Sequence, residues 1–428
     1  MTKSPAQTNV SPADTYRKTV LPNGIRVVTE ELPHVRSISV GVWVEVGSRD
    51  EQPENNGITH FIEHMVFKGT KRFSVPQIAR SLESVGGYLN AFTTKEHTCF
   101  YARVLDQHLE RSIDVISDLL QHPLFPEKEI EKEKQVVIEE IKNTEDEPDD
   151  LIHEYFERNI FHRHSLGYPI IGNKENVARF SANDLRSYTE RYYRSGNIVL
   201  AAAGSLKHDK VVELVEKYFH SIPKGHGPGR RRRGPKTSHP RKEIFEKSIK
   251  QSHICIGSIG YSAKSEQRHA LYVLNTLLGE GMSSRLFQNI REKYGFAYSI
   301  YSFINLLSDT GDMGVYIGTD QKHIEKSLEL IQKELDNLAT KPVSAAELKR
   351  AREQVKGSMT LGLESTSSRM MRLGSGELFY GKFMPIDEIL KKISDVSVED
   401  IQDVAKTLFK PEKYSTVIFR PDKNQTQN

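Results

Sequence analysis

His60 and His64 stand four residues apart with Glu63 between them, in the run His60-Phe61-Ile62-Glu63-His64. On a helix of 3.6 residues per turn, positions 60 and 64 lie about 40° apart around the axis, and 63 lies about 60° to the other side of 60. One face therefore carries two imidazoles and a carboxylate. Neutral imidazole nitrogens suit zinc, and a hydrolytic zinc site keeps one position open for the attacking water. Glu63 is the group placed to take that water's proton. The order is the inverse of the H-E-x-x-H arrangement found in other zinc hydrolases. With 16 His in 428 residues, two chosen positions are both His about once in 700 trials, so a chance pairing on a solvated helix face is the weaker explanation.

Two imidazoles do not make a tight site, and a third ligand must come from another element. Residues 127–147, EKEIEKEKQVVIEEIKNTEDE, read as a charged helix. Glu133 and Glu140 are seven apart there and share a face. Spacing alone leaves Glu133, Glu139 and Glu140 open as the third ligand.

The elements that position these groups must belong to more than one lobe, because 428 residues exceed one ordinary core. A stretch rich in Gly, Pro and basic residues, KGHGPGRRRRGPKTSHPRK at 224–242, divides the chain near its middle. It is expected as an exposed linker, its four Arg at 230–233 serving as part of the joint rather than as a binding patch. The expected division is an N-terminal zinc-binding domain at 1–223 and a C-terminal domain at 243–428.

The two sides show a faint self-similarity at an offset near 214 residues. SISVGVWVEVG (37–47) and SHICIGSIG (252–260) both alternate like half-buried strands. FYARVLDQHLERSIDVISDLL (100–120) matches MGVYIGTDQKHIEKSLELIQKEL (313–335), strand then amphipathic helix, with Asp106 and Asp320 in register. At that offset His60, Glu63 and His64 fall on Leu274, Leu277 and Leu278, so the second half keeps the scaffold without the metal face. The expected fold class is α+β, with two homologous lobes that are each an antiparallel sheet covered by helices. Within them, LPNGI at 21–25 signals a hairpin and NIVLAAAG at 197–204 a buried strand. Ser181, Ser344 and Ser397 have the spacing of helix caps, not of nucleophiles.

Bulk properties exclude several functions. The chain is 37% hydrophobic and 27% charged, as soluble globular proteins are. No apolar run approaches the roughly 18 residues of a spanning helix, so no membrane partner is expected. A net charge of +3 argues against a nucleic-acid partner. The polar first 14 residues lack a secretory or organellar pattern, which makes cytoplasmic residence the expectation. Cys99 and Cys255 are too few for a disulfide framework or a thiolate zinc site and are expected as buried thiols. The acidic run 145–150 is expected as a solvated helix end, and Gly279-Glu280-Gly281 as a turn between helices rather than a phosphate loop.

The order His60-x-x-Glu63-His64 followed by EKQVVIEEI resembles the pitrilysin family of zinc metallopeptidases, especially the branch of mitochondrial processing peptidase and its bacterial relatives. The resemblance runs from about Arg17 to about Phe419. It implies a third ligand 76 residues beyond the second His, which is Glu140 here, and an additional acidic residue, Glu133, that orients ligands or tunes the water. GGYLNAFTTKEHTCFYARV (86–104) is similar to the family's active-site edge strand, with Asn90, Ala91 and Phe92 nearest the scissile bond. Arg291 and Tyr298, in GEGMSSRLFQNIREKYGFAYSIYS (279–302), fall where relatives carry an Arg and a Tyr that reach across to the substrate. The four linker Arg are not part of the family pattern, and His162 and His164, whose spacing could look metal-like, lie where the resemblance implies structural loop residues rather than a second metal site.

By that resemblance the chain is expected to be a zinc-dependent endopeptidase, one Zn2+ per chain, that cleaves unfolded or presequence-like peptides bound in extended form. It would form half of a clamshell chamber completed in a homodimer, or in a heterodimer with a related subunit. The alternative is a non-catalytic scaffold or partner subunit, whose usual mark is a degraded zinc motif.

Overall fold

The computed structural model describes residues 15–227, 232–235 and 240–422. Its first lobe is built on β1 (Tyr16–Val20), β2 (Arg26–Glu31), β3 (Ser37–Val44), β4 (Tyr88–Thr93), β5 (Thr98–Leu105) and β6 (Ile198–Gly204), in the sheet order β1-β2-β6-β3-β5-β4. The second is built on β7 (Lys242–Lys247), β8 (Ser252–Ile259), β9 (Ala297–Leu306), β10 (Gly311–Thr319) and β11 (Ser415–Pro421), in the order β7-β11-β8-β10-β9. Apart from β1, the two orders are the same.

The sheets are not wholly antiparallel. β2 with β6 and β7 with β11 run parallel. In each lobe the last strand returns after a long helical excursion, β6 beside β2 and β11 beside β7, and runs in its neighbour's direction, a parallel pairing that needs so long a crossover.

The duplication extends to the helices. β5 passes through a 3-10 turn that begins at Asp106, and β10 through one capped by Asp320. Including the metal-motif helix, the helices that matter to the site and to the lobes are α1 (Ile58–Met65), α2 (Leu109–Gln121), α3 (Glu127–Asp146), α4 (Pro148–Ile160), α5 (Arg268–Gly279), α6 (Ile324–Thr340) and α7 (Thr366–Tyr380). On α5, Leu274, Leu277 and Leu278 are buried in the second lobe's core. Apolar packing occupies the face that α1 uses for chemistry.

β3 and β8 differ from the expected half-buried strands, being buried on both faces almost throughout. The cause is an exchange of helices. α4, from the first half of the chain, packs Leu151, Ile152, Phe156 and Ile160 onto Cys255, Val417 and Phe419 of the second sheet. α7, from the second half, packs Met370 and Leu373 onto Val28, Trp43, Cys99 and Val199 of the first. At Gly374 the approach is so close that an added Cβ would lie 2.5 Å from the Trp43 ring. Only glycine admits the helix at that height.

Most described linker residues are exposed or partly so, as expected, but Arg232 departs from that. Residues 228–231 and 236–239 lie outside the described residues, but Arg232 is only 17% exposed and pairs with Asp50 at 2.6 Å. Its guanidinium also donates to the Glu96 carbonyl at 2.7 Å. Arg49 pairs with Glu96, and with Asp309 at 3.0 Å. Carboxylates gathered in the crease between the lobes need counter-charges, and the linker supplies one of them. No helix among the described residues is long and apolar enough to cross a membrane.

Candidate metal centre

α1 is short, and its sequence alone would hardly hold it. Ile58, Phe61, Ile62 and Met65 anchor one face in the core. Its N-cap, Gly57, has φ +99° and no side chain with which to cap. The buried Glu51 does that work from seven residues upstream of Ile58, accepting from the N–H groups of Gly57 at 2.8 Å and Thr59 at 2.9 Å, and from the Asn56 amide at 2.8 Å. Burial pushes the Glu51 carboxyl up to about 7 against the pull of these donors.

With α1 fixed, His60 and His64 face α3. One donor atom from each of His60, His64 and Glu140 lies within 4.8 Å of the others. The Glu140 carboxylate oxygens are 3.9 Å from His60 Nε2 and 3.6 Å from His64 Nε2. Tetrahedral bonds of 2.0–2.1 Å place ligand atoms about 3.3 Å apart, so a small contraction around one ion would suffice. Two imidazole nitrogens and a carboxylate oxygen are a donor set that fits zinc. Glu139, the alternative left open by spacing, pairs with Lys142 on the exposed side of α3.

The two imidazoles are held differently. His64 Nδ1 donates to Glu133 at 2.9 Å, which leaves Nε2 with its lone pair toward Glu140. Lys68 pairs with the other Glu133 oxygen at 2.6 Å. Burial disfavours the His64 cation, but the Glu133, Glu140 and Glu63 carboxylates outweigh it and raise its pKa in the metal-free site. His60 Nδ1 is buried without a partner. Burial, then the neighbouring His64, lower His60 to about 3, so it is neutral at any ordinary pH.

Glu63 accepts a hydrogen bond from Thr93 Oγ1 at 2.6 Å. Burial raises its pKa, and the Thr93 bond opposes the rise. Thr93 ends β4, which pairs only with β5 and is the edge strand of its sheet. Asn90 is exposed on that strand, its side chain accepting from the Ala91 N–H at 2.9 Å, while Ala91 is buried and Phe92 half-buried against Tyr101 and His97. The first-lobe residues thus come together: metal donors, carboxylate and strand edge adjoin.

The second-lobe pair stands apart. Arg291 lies in a π-helical turn, Phe287–Glu292, with its guanidinium 4.7 Å over the Phe287 ring. Tyr298 is 54% exposed, its hydroxyl 3.4 Å from Asp320. Among the described residues, no hydrogen bond or ion pair joins either to the cluster. His164 is a loop residue as expected, accepting from the Leu166 N–H at 3.1 Å. Sequence spacing does not single out Thr93, Lys68 or Glu51; the first two reach the site across space, and nothing in the sequence marks a cap so far from its helix.

The sequence model described as Insulinase (Peptidase family M16) matches residues 26–174, and that described as Peptidase M16 inactive domain matches 179–355. A Bacillus subtilis protein named uncharacterized zinc protease YmxG is 43% identical over 94% of this chain and 97% of its own length. A Streptomyces coelicolor protein with a zinc protease name is 41% identical over 92% of this chain and 87% of its own. Among solved structures, a protease from Helicobacter pylori superposes with TM-score 0.90 at 25% identity, covering 95% of this chain and 99% of that one. A Pseudomonas fluorescens structure described as peptidase M16 inactive domain shares the fold, with TM-score 0.89 at 18% identity over 95% of this chain and 98% of its own. With two family models matched over residues 26–174 and 179–355, and relatives above 40% identity over more than nine-tenths of this chain, the chain belongs to the M16 family of peptidases.

Proposed function

We propose that this chain is a zinc-dependent endopeptidase that takes an extended, unfolded or presequence-like peptide along the edge of β4. The observation that carries the reading is the convergence of His60, His64 and Glu140 within 4.8 Å, beside a carboxylate on the same face of α1. Those three residues would hold the metal, and Glu133 would keep His64 in the ligating tautomer. Bound there, zinc supplies Lewis acidity, acidifying water and stabilising negative charge on the scissile carbonyl oxygen.

The protein's own groups do the rest. Asn90, Ala91 and Phe92 would offer main-chain hydrogen bonds to the peptide as an added strand. Glu63 would take the attacking water's proton and pass it to the leaving amine. Arg291 and Tyr298 would donate to the scissile or a neighbouring carbonyl once the second lobe closes on the peptide. One chain makes half a chamber in this reading. A homodimer completes it, or else a pairing with a related subunit, and light scattering on the purified protein distinguishes a dimer from a monomer.

Glu63→Gln tests the mechanism. The variant is expected to keep one zinc per chain by elemental analysis and to lose about 10²- to 10⁴-fold in turnover of an unfolded peptide, the usual worth of a positioned proton-transfer group. Undiminished cleavage would remove Glu63 from its role. Wild-type cleavage that survives thorough chelation would remove the metal.

A second reading, a non-catalytic partner subunit, draws on the inactive-domain description. That description attaches to 179–355, where Leu274, Leu277 and Leu278 replace the metal face. His60, Glu63, His64 and Glu140 are intact in the other half, which favours activity. Purified, zinc-loaded chain that cleaves nothing would favour the partner subunit.

A further inference from the structure

We infer that Thr93 is a positioning residue for Glu63, tying the proton-transferring carboxylate to the strand on which the peptide would lie; this rests on the peptidase reading above. Among the described residues, Thr93 is the one hydrogen-bond partner of Glu63, with Oγ1 donating to Oε2 at 2.6 Å. The Tyr193 hydroxyl, buried and without a hydrogen-bond partner among the described residues, does not compete for Glu63. A glutamate side chain has three rotatable bonds and needs an anchor to hold one orientation. With Oε2 engaged by a donor, Oε1 stays free to receive a proton.

The anchor itself is held from two sides. Thr93 pairs with Thr98 in the β4–β5 ladder. The turn that follows it is closed by the Thr94 N–H and hydroxyl, which donate to the His97 carbonyl at 2.8 and 2.9 Å. Glu96, in the same turn, is gripped by the second lobe through the Ser308 N–H at 2.8 Å and hydroxyl at 2.6 Å. Substrate register on β4 and carboxylate orientation thus share one rigid frame, and Thr93 is the link between them.

The rival role for Thr93 is simple packing against α1, and two substitutions separate the roles. Thr93→Val keeps the shape and β-branching but loses the donor, while Thr93→Ser keeps the donor and loses the methyl. Positioning predicts that the Val variant loses about ten- to a hundredfold in kcat, the worth of one hydrogen bond to a charged group, with KM and zinc content unchanged. It predicts near-complete rescue by Ser. The affinity of the zinc-loaded protein for a peptide hydroxamate, measured by calorimetry, should fall in Val and recover in Ser. Packing predicts the reverse order. Full activity in Thr93→Val beside an inactive Glu63→Gln overturns the role of Thr93 and leaves the base in place. Full activity in Glu63→Gln overturns the reading beneath it.

Discussion

Histidines close to the candidate metal centre show how far burial can move a single group. His97, beside the edge strand, has its ring against Phe92 and Phe379. Burial lowers its pKa to about 4; Glu96 opposes the drop and Arg232 assists it. An unfolded chain takes up a proton on that histidine as pH falls below about 6.5, while the folded chain refuses it until about 4. Stability is therefore complete above the unfolded pKa and is lost as acid is added across that window. His97→Gln should flatten the dependence, sparing roughly 1–3 kcal/mol between pH 7 and 4. Urea denaturation of the metal-free protein at several pH values measures it, and an unchanged slope would refute the assignment. At this scale the sequence was legible wherever spacing along one helix sufficed, as with His60, Glu63 and His64. Glu140 needed family resemblance, because three glutamates of one helix satisfied the same geometry. Thr93 and Lys68 were not legible, since their roles arise only from tertiary approach.

Among elements, α1 depends most on something outside itself. Eight residues cannot sustain a helix in water, and Gly57 offers no capping side chain, so Glu51 satisfies the buried N–H groups of the first turn. Glu51→Ala should destabilise the metal-free protein by about 1–3 kcal/mol and weaken zinc binding in step, because the same turn carries His60. Glu54→Ala, on an exposed neighbour, should leave both unchanged. Equal zinc affinity in the two variants would show that α1 is held by its apolar face alone. Local signals of the ordinary kind were readable: Ser181, Ser344 and Ser397 all form capping boxes as their spacing implies. Gly24, at φ +102°, turns the β1–β2 hairpin that LPNGI signalled. β3 and β8 misled because Ser39 and Gly41 in the one, and His253 and Gly257 in the other, alternate with apolar residues and mimic a solvent face. Their small or polar side chains instead make room for a helix from the other lobe.

For the whole molecule, that exchange of helices governs how the chain can fold. The linker separates two stretches of sequence, but the packing does not respect it. A first-half fragment, residues 1–223, would bare Val28, Trp43, Cys99 and Val199 on one side of its sheet, and would carry α4 with Leu151, Ile152, Phe156 and Ile160 facing water. Each large side chain so exposed forfeits about 1.5–3 kcal/mol, and several together match the roughly 5–15 kcal/mol that holds an ordinary protein folded. The charges in the crease fare no better alone. Arg49 and Glu96 are both 2% exposed, and Asp309 and Ser308 of the second half complete their pairing. Residues 1–223 and 224–428, expressed separately, should each aggregate or bind hydrophobic dye without a cooperative melt. Expressed together they should recover a soluble complex with the melting behaviour of the intact chain, because the exchanged helices need a partner surface and not a peptide connection. A sharp, reversible melt from either half by itself would show that its sheet tolerates a bare outer face. The helix exchange would then be a late docking event and not a condition of folding.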